Sequence, residues 1–433
     1  MKRFILTSIG VALAIGTQAQ ITIDGAAVVV DAGAIVYSEA YLTNETGGTI
    51  ENSGQIYVGG DWTNNGGNTA LINGRPGDVI LNGPSQVIGG LDLTEFYTLI
   101  LDGNYGRKEL QVNSEVTNLL DLRNDQLETW GNNMRLRNPL PSSLTFADGY
   151  ISSDFQGGYF SRVTSYDSLY WYPVGSQNIT GAGNYRPVSL RPNDANVNEY
   201  AVRLAGIDAS NDFGISMSGY NGAYDRSAKS DVLDNLNDNY YHNIYRLSGA
   251  TPVDISMYYE SNDGDFETMA QWQDSSTSWQ NGTPSWEDAL FAIVNNTDPL
   301  PASFSNVDMK VSKESVDDFV HDGFILSDVK DMVQIPQFLT PEDMNGLNDF
   351  WDIENIDYFP ENKVQIFNRY GNIVYEMEGY DNVNNVFVGK ANINKGANVV
   401  LGSDYLPSGT YFYVIDLGIP GVDPYVGDVT IRL

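Results

Sequence analysis

The sequence predicts an all-β protein, and three observations carry that expectation. Short runs of β-branched, aromatic and aliphatic residues recur along it, among them AAVVV, GQIYVGG, GDVILNG, FYTLILDG, YAVRLAG, DISMYYE and LFAIV. Between them stand small clusters of turn-forming Gly, Asn, Asp and Pro, with glycine alone filling 43 of 433 positions. Apolar residues at the spacing of an amphipathic helix are scarce.

In chain order, MKRFILTSIGVALAIGTQAQ reads as an export leader. Lys2 and Arg3 supply a positive start, and Phe4 to Ile15 form an apolar stretch too short to span a bilayer comfortably. Thr17-Gln18-Ala19 offers the small residues of a cleavage site, so residues 1–19 are expected to leave and Gln20 to begin the mature chain. No later run reaches the ~18 apolar residues of a membrane-spanning helix.

Residues 20–162 hold brief strands between Gly/Asn turns, as in GGTIENSGQIYVGGDWTNNGG, with irregular spacing. Single apolar residues alternating with Asn and Gly suit a β-solenoid, in which each coil adds a short strand and stacks on the next; a flattened sandwich is the competitor. Residues 163–300 change texture. SLYWYPVGS, YRPVSLRPN and NEYAVRLAG alternate over longer runs with turn signals about every ten residues, the pattern of an immunoglobulin-like β-sandwich. Residues 301–334 are acidic with weak strand signals and are expected to be a connector, leaving 335–433 as a small C-terminal β-sandwich domain.

Lys and Arg number 23 against 56 Asp and Glu, a net charge of −33, which repels phosphate backbones and excludes nucleic acid as a partner class. The absence of cysteine excludes disulfides, thiol nucleophiles and a lipid-anchoring cysteine.

Near the C-terminus, FNRYGNIVYE reads as a tight hairpin: Val364 and Ile366 share one face of the first strand, and Gly371 can take the positive φ that a short loop needs. LPSGTYFYVIDLG then gives a Pro/Gly turn and a long strand, and GDVTIRL a terminal strand that can lie at a sheet edge. Ordered blocks run through this region: Thr340-Pro341, Asn348-Asp349, Phe367-Asn368-Arg369, Tyr370-Gly371, Tyr380-Asp381-Asn382, Leu406-Pro407 and Gly409-Thr410-Tyr411. Together they resemble the gliding-motility-associated C-terminal domain, the type B sorting domain of the Bacteroidetes type IX secretion system. Three places depart from that pattern: TPEDMNGLND lacks a central Gly-Asp-Gly, FVG stands for WDG or WNG, and no aromatic follows the glycine of GDVTIRL. The resemblance implies export through the type IX translocon to the cell surface or the medium. It also implies docking to a SprF/PorP-like outer-membrane β-barrel. The expected function is then a non-catalytic surface protein, an adhesin or an accessory part of the surface or gliding apparatus, touching larger surface adhesins or glycans.

The residues offer little for catalysis. His242 and His321 are the only histidines, and no G-x-S-x-G, H-E-x-x-H or Walker motif occurs, so the chain is expected not to be an enzyme. Calcium is the one cofactor the residues suggest. Asp263, Asp265 and Glu267 crowd the turn NDGDFE, and Asp343, Asn345 and Asp349 surround a glycine, although a solvated Asx turn is the favoured reading of both. Aromatic clusters including Trp272 and Trp279 fit either sheet cores or a sugar-stacking surface, the basis of an alternative as a secreted carbohydrate-binding protein or polysaccharide hydrolase.

Overall fold

The computed structural model describes residues 3–6, 20–67, 71, 75–154, 156–179, 184–212, 222–230, 233–273, 284–288, 307–319, 321–329, 333–342, 346–393, 404–418 and 424–433. Strands dominate, with three short 3-10 turns among the described residues. The chain divides into two compact units, one running to Asp328 and one starting at Val329.

The first unit begins as a parallel β-solenoid. One sheet stacks Ile21–Ile23, Leu42–Asn44, Trp62–Asn64, Ser85–Gly90, Arg107–Leu110, Gln126–Glu128, Tyr150–Ser152 and Val174–Gly175, each parallel to the next. A second stacks Ile35–Ser38, Gln55–Val58, Asp78–Leu81, Thr94–Leu101, Ser114–Asp121, Asn133–Leu136 and Tyr159–Thr164. A third, short sheet places Ala27–Val30 between Arg3–Leu6 and Thr49–Asn52. Trp62 lies in register with Ile88 and Arg107 with Gln126, so a coil takes between 19 and 26 residues. Loops of unequal length absorb that variation, which is why no exact repeat shows in the sequence.

Identical positions of successive coils stack into ladders. Ile56, Val79, Leu99, Leu120 and Leu144 follow one another in register and are all buried. Asn44 and Asn64 form a polar rung: Asn44 Nδ2 lies 3.4 Å from Asn64 Oδ1 and 3.2 Å from the Gly48 carbonyl, and Asn64 Oδ1 accepts from Gly66 N at 3.1 Å. Gly48 has to be glycine, because a Cβ there would fall 2.3 Å from Asn44 Oδ1. Lys108 is also inside. Its Nζ donates to Asp125 Oδ2 at 2.9 Å and to the Gly83 carbonyl at 2.6 Å, while Gly106 N donates to Asp125 Oδ1 at 2.8 Å. Burial lowers the Lys108 pKa, and the Asp125 carboxylate opposes that shift.

The parallel stack ends where Asn198–Ala205 pairs antiparallel with Tyr159–Thr164. The same sheet continues through Tyr241–Ser248, Gly323–Val329, Thr268–Gln273 and Ser285–Asp288. A separate antiparallel sheet holds Tyr170–Tyr172, Val188–Pro192, Val253–Tyr259 and Met309–Val316. Side chains from both join one core that runs on into the solenoid, including Tyr172, Val188 and Ile255 with Tyr200, Val202 and Ile244. Two boundaries expected from sequence change accordingly. Tyr159–Thr164 pairs parallel with the solenoid strand Asn133–Leu136 and antiparallel with Asn198–Ala205, so no break falls at 162. The expected connector at 301–334 contributes Met309–Val316 and Gly323–Val329, with Val311, Val316 and Phe324 in the core. Its charge misled because Lys313 is only partly buried and Glu314 is exposed between the buried Val311 and Val316.

The second unit has, among its described residues, one five-stranded sheet where two were expected. Its order is Phe338–Leu339, Tyr425–Ile431, Gly409–Asp416, Lys363–Phe367 and Ile373–Glu378. One face is covered by Trp351, Ile353, Ile356, Phe359, Tyr380 and Phe387, which with Val364, Ile366, Ile415 and Val429 make a core of its own.

Candidate functional site

The motif blocks of the C-terminal unit fall at its turns and crossings, and each has a definable structural task. In the hairpin, Asn368 Oδ1 accepts from Tyr370 N at 3.0 Å and Asn372 N at 3.1 Å, and Gly371 takes a φ of 79°. Arg369 lies over the Tyr370 ring, 4.9 Å from its centroid, and donates to its hydroxyl at 2.8 Å. Phe367 leads into this loop from the strand whose Val364 and Ile366 are buried.

Tyr380, Asp381 and Asn382 fasten the covering segment. The buried Tyr380 hydroxyl donates to the Trp351 carbonyl and accepts from Phe387 N. Asp381 Oδ1 accepts from the amides of Val383, Asn384 and Asn385 at 2.9, 2.7 and 2.8 Å, which holds its carboxyl below the usual range. Asn382 exchanges two hydrogen bonds with the Ile353 backbone.

Thr340 N donates to the Asn348 carbonyl at 2.8 Å and Thr340 Oγ1 to that of Leu347, closing the loop that follows Pro341. Pro341 packs where a Cβ on Gly389 would fall 2.8 Å from its Cγ, so the glycine of FVG is fixed by contact and by its φ of 75°. Leu406 is buried and its N donates to the Gly389 carbonyl; the Pro407 carbonyl accepts from the Tyr411 hydroxyl at 3.0 Å. Gly409, Thr410 and Tyr411 open the strand that pairs with Ile431, Thr430 and Val429.

The terminal strand is not a simple edge. Its last residues are flanked by Phe338–Leu339, with Phe338 beside Thr430 and Leu339 beside Ile431, whereas no described strand flanks Tyr425 to Val429 on that side. The sheet face opposite the core exposes Phe338 at 59 %, Phe412 at 49 % and Val426 at 75 %. Apolar side chains beside an unpaired strand edge form a surface ready for a partner.

Residues 333–430 match the family model of the CHU_C type IX secretion signal domain. The last hundred residues are a type IX secretion signal domain. The match implies export by type IX secretion, to the surface or the medium, and interaction with that machinery. No curated protein and no solved structure matches the chain.

Two residues vital to the signal domain escaped the block pattern. Trp351 is fully buried, and its Nε1 donates to the Pro336 carbonyl at 2.7 Å. Asn362, also fully buried, donates to the carbonyls of Phe359 and Tyr380 at 2.6 and 2.9 Å and accepts from Tyr380 N at 2.8 Å. A lone Asn before an apolar strand gives no sequence sign of such a role.

The other candidate residues are scattered. Asp343, Asn345 and Trp279 lie outside the described residues; Asp349 Oδ2 accepts from Gly346 N at 3.0 Å. Asp263 turns inward, where both its oxygens receive the buried Arg186 guanidinium and one also receives the Tyr240 hydroxyl at 2.7 Å. Asp265 and Glu267 stay exposed at the turn, and the described residues hold no group of three metal-ligating side chains. His242 is buried with Nε2 2.8 Å from the Arg186 carbonyl, and burial brings its pKa down to about 4. His321 is 5 % exposed, its ring 3.5 Å from Asp318. Trp272 is 2 % exposed and packs edge-on against Trp286 and Tyr224, so it is a core residue with no face open to a sugar.

Proposed function

We propose that the chain is a non-catalytic surface protein, in which the solenoid and sandwich form a head carried outward by the signal domain. The head acts as an adhesin or an accessory part of the surface or gliding apparatus. The signal domain docks to a SprF/PorP-like outer-membrane β-barrel, which holds the protein at the cell. The observation that supports docking is the unflanked stretch Tyr425 to Val429 beside exposed Phe412, Phe338 and Val426. The burial of His242, out of reach of solvent and substrate, agrees with a head without hydrolytic chemistry.

The test is an affinity pull-down of the full-length protein from native outer membranes. A SprF/PorP-like barrel should come with it, and Val426→Asp together with Phe412→Asp should release that barrel while leaving the domain folded. Recovery of the protein as a free species in the medium, with no barrel bound, would refute docking.

A further inference from the structure

The first coil of the solenoid is less complete than the second, although the two are in full register. Ile21 stacks on Leu42, Val28 on Ile50 and Val36 on Ile56. The second-coil members are 2 %, 0 % and 1 % exposed, yet Ile21, Val28 and Val36 are each only partly buried. At this end, therefore, three apolar residues of the first coil stay half covered beside the buried Ile23, Val29 and Val30. Among the described residues, no strand lies outside Ile21–Ile23 or Ile35–Ser38. Ala27–Val30 alone carries one: Arg3–Leu6 lies parallel to it, Arg3 beside Ala27 and Leu6 beside Val30. At the opposite end the stack is closed by the antiparallel strand Asn198–Ala205. Solenoids need a cap at each terminus, and here one end owes its partial cap to the segment that reads as a removable leader.

We propose that, once the leader is gone, Ala27–Val30 accepts an extended strand from a partner chain, laid parallel in the place of Arg3–Leu6. The proposal rests on the leader reading of residues 1–19. The occupant's chemistry follows from the seat: a basic residue leading into consecutive apolar residues. Backbone amides and carbonyls of Ala27–Val30 supply the pairing, and the half-covered Val28 and Val36 supply an apolar floor. Asp24, exposed, and Asp31 stand on either side of the seat in the chain, which favours an incoming strand with a basic flank. A second copy arriving end to end would instead set Asp24, Asp31 and Glu39 against their own counterparts, in a chain that without Lys2 and Arg3 holds 21 basic against 56 acidic residues, a net charge of −35. Strand addition would anchor a partner at the solenoid tip, far along the sequence from the signal domain.

The probe is a labelled synthetic peptide of residues 2–8, KRFILTS, titrated by fluorescence anisotropy. Chain 20–433 should bind it saturably, and the full chain 1–433, whose seat is filled, should not. Val28→Arg in chain 20–433 should weaken binding by about tenfold or more. Should that variant unfold, hydrogen exchange on unsubstituted 20–433 serves instead, with the amides of residues 27–30 slowed by the peptide. Equal binding of a scrambled peptide, equal binding by 1–433, or no binding would overturn the proposal. So would self-association of 20–433 that protects those amides without peptide, since it would assign the end to a second copy.

Discussion

The solenoid and the signal domain both bury β-strands on one face, but they specify themselves with different residues. In the solenoid, position does the work: Ile56, Val79, Leu99, Leu120 and Leu144 are interchangeable apolar rungs, and any chain that places such a residue once per coil satisfies the core. In the signal domain, individual side chains bind particular backbone groups: Asn362 the carbonyls of Ile356, Phe359 and Tyr380, Asp381 three successive amides, Asn368 its own hairpin loop. A repeated rung leaves a degenerate sequence, whereas a turn held by one amide leaves a motif. That difference explains why a family pattern is legible in the last hundred residues.

The solenoid's polar exceptions are where this contrast is most easily broken. Lys108 and Asp125 are both fully buried, so Lys108→Met leaves a carboxylate uncompensated and should cost about 3–5 kcal/mol in the first unit's unfolding. Lys108→Met with Asp125→Leu should recover most of that loss. Denaturant unfolding followed by tryptophan fluorescence reads both; a double variant no better than the single one would show that the pair specifies the coil as a motif would.

A smaller effect is expected from pH. The folded protein keeps His242 neutral down to about pH 4, while the unfolded chain takes up its proton near the ordinary pKa of 6.5. The unfolded state therefore binds more protons between those limits, and stability should fall as pH drops through that window, by up to about 3 kcal/mol. His242→Gln, which keeps a donor toward the Arg186 carbonyl, should remove this part of the slope. Thermal melts of both proteins from pH 7 to pH 4 check it.

On the signal domain's side, Asn362→Ala should cost about 1–3 kcal/mol, because buried carbonyls of Phe359 and Tyr380 lose their donor. Gly371→Ala should cost least, about 1 kcal/mol, the strain of a β-carbon at a φ of 79°. Both should shift the C-terminal unit's transition; a shift of equal size in the first unit would erase the contrast between them.

What the sequence disclosed follows the same division. The all-β class, the coil texture before 162 and the hairpin around Gly371 were legible because alternation and turn residues are local signals. The rung formed by Asn44 and Asn64, the Lys108–Asp125 pair and the Arg186–Asp263 pair were not, because each joins residues 17 to 77 positions apart. Asp263 shows the consequence. As part of an acidic turn it read as a calcium ligand, yet an arginine far upstream occupies both its oxygens. Trp272 read as a possible sugar platform because burial, unlike aromaticity, cannot be seen in one strand. The strands at Met309–Val316 and Gly323–Val329 were hidden by charged residues in and beside them, of which Glu314 stays exposed while Asp322 is buried and accepts from the Tyr224 hydroxyl.

The central claim is that residues 333–433 are an address read apart from the head. Its most direct test compares the full-length chain with one lacking residues 333–433, in cells of a type IX-competent host, by external protease accessibility and cell fractionation. The full chain should be cleaved by protease added outside the cell or recovered from the medium, and the truncated chain should stay inside, protected. Equal exposure of both would contradict the account.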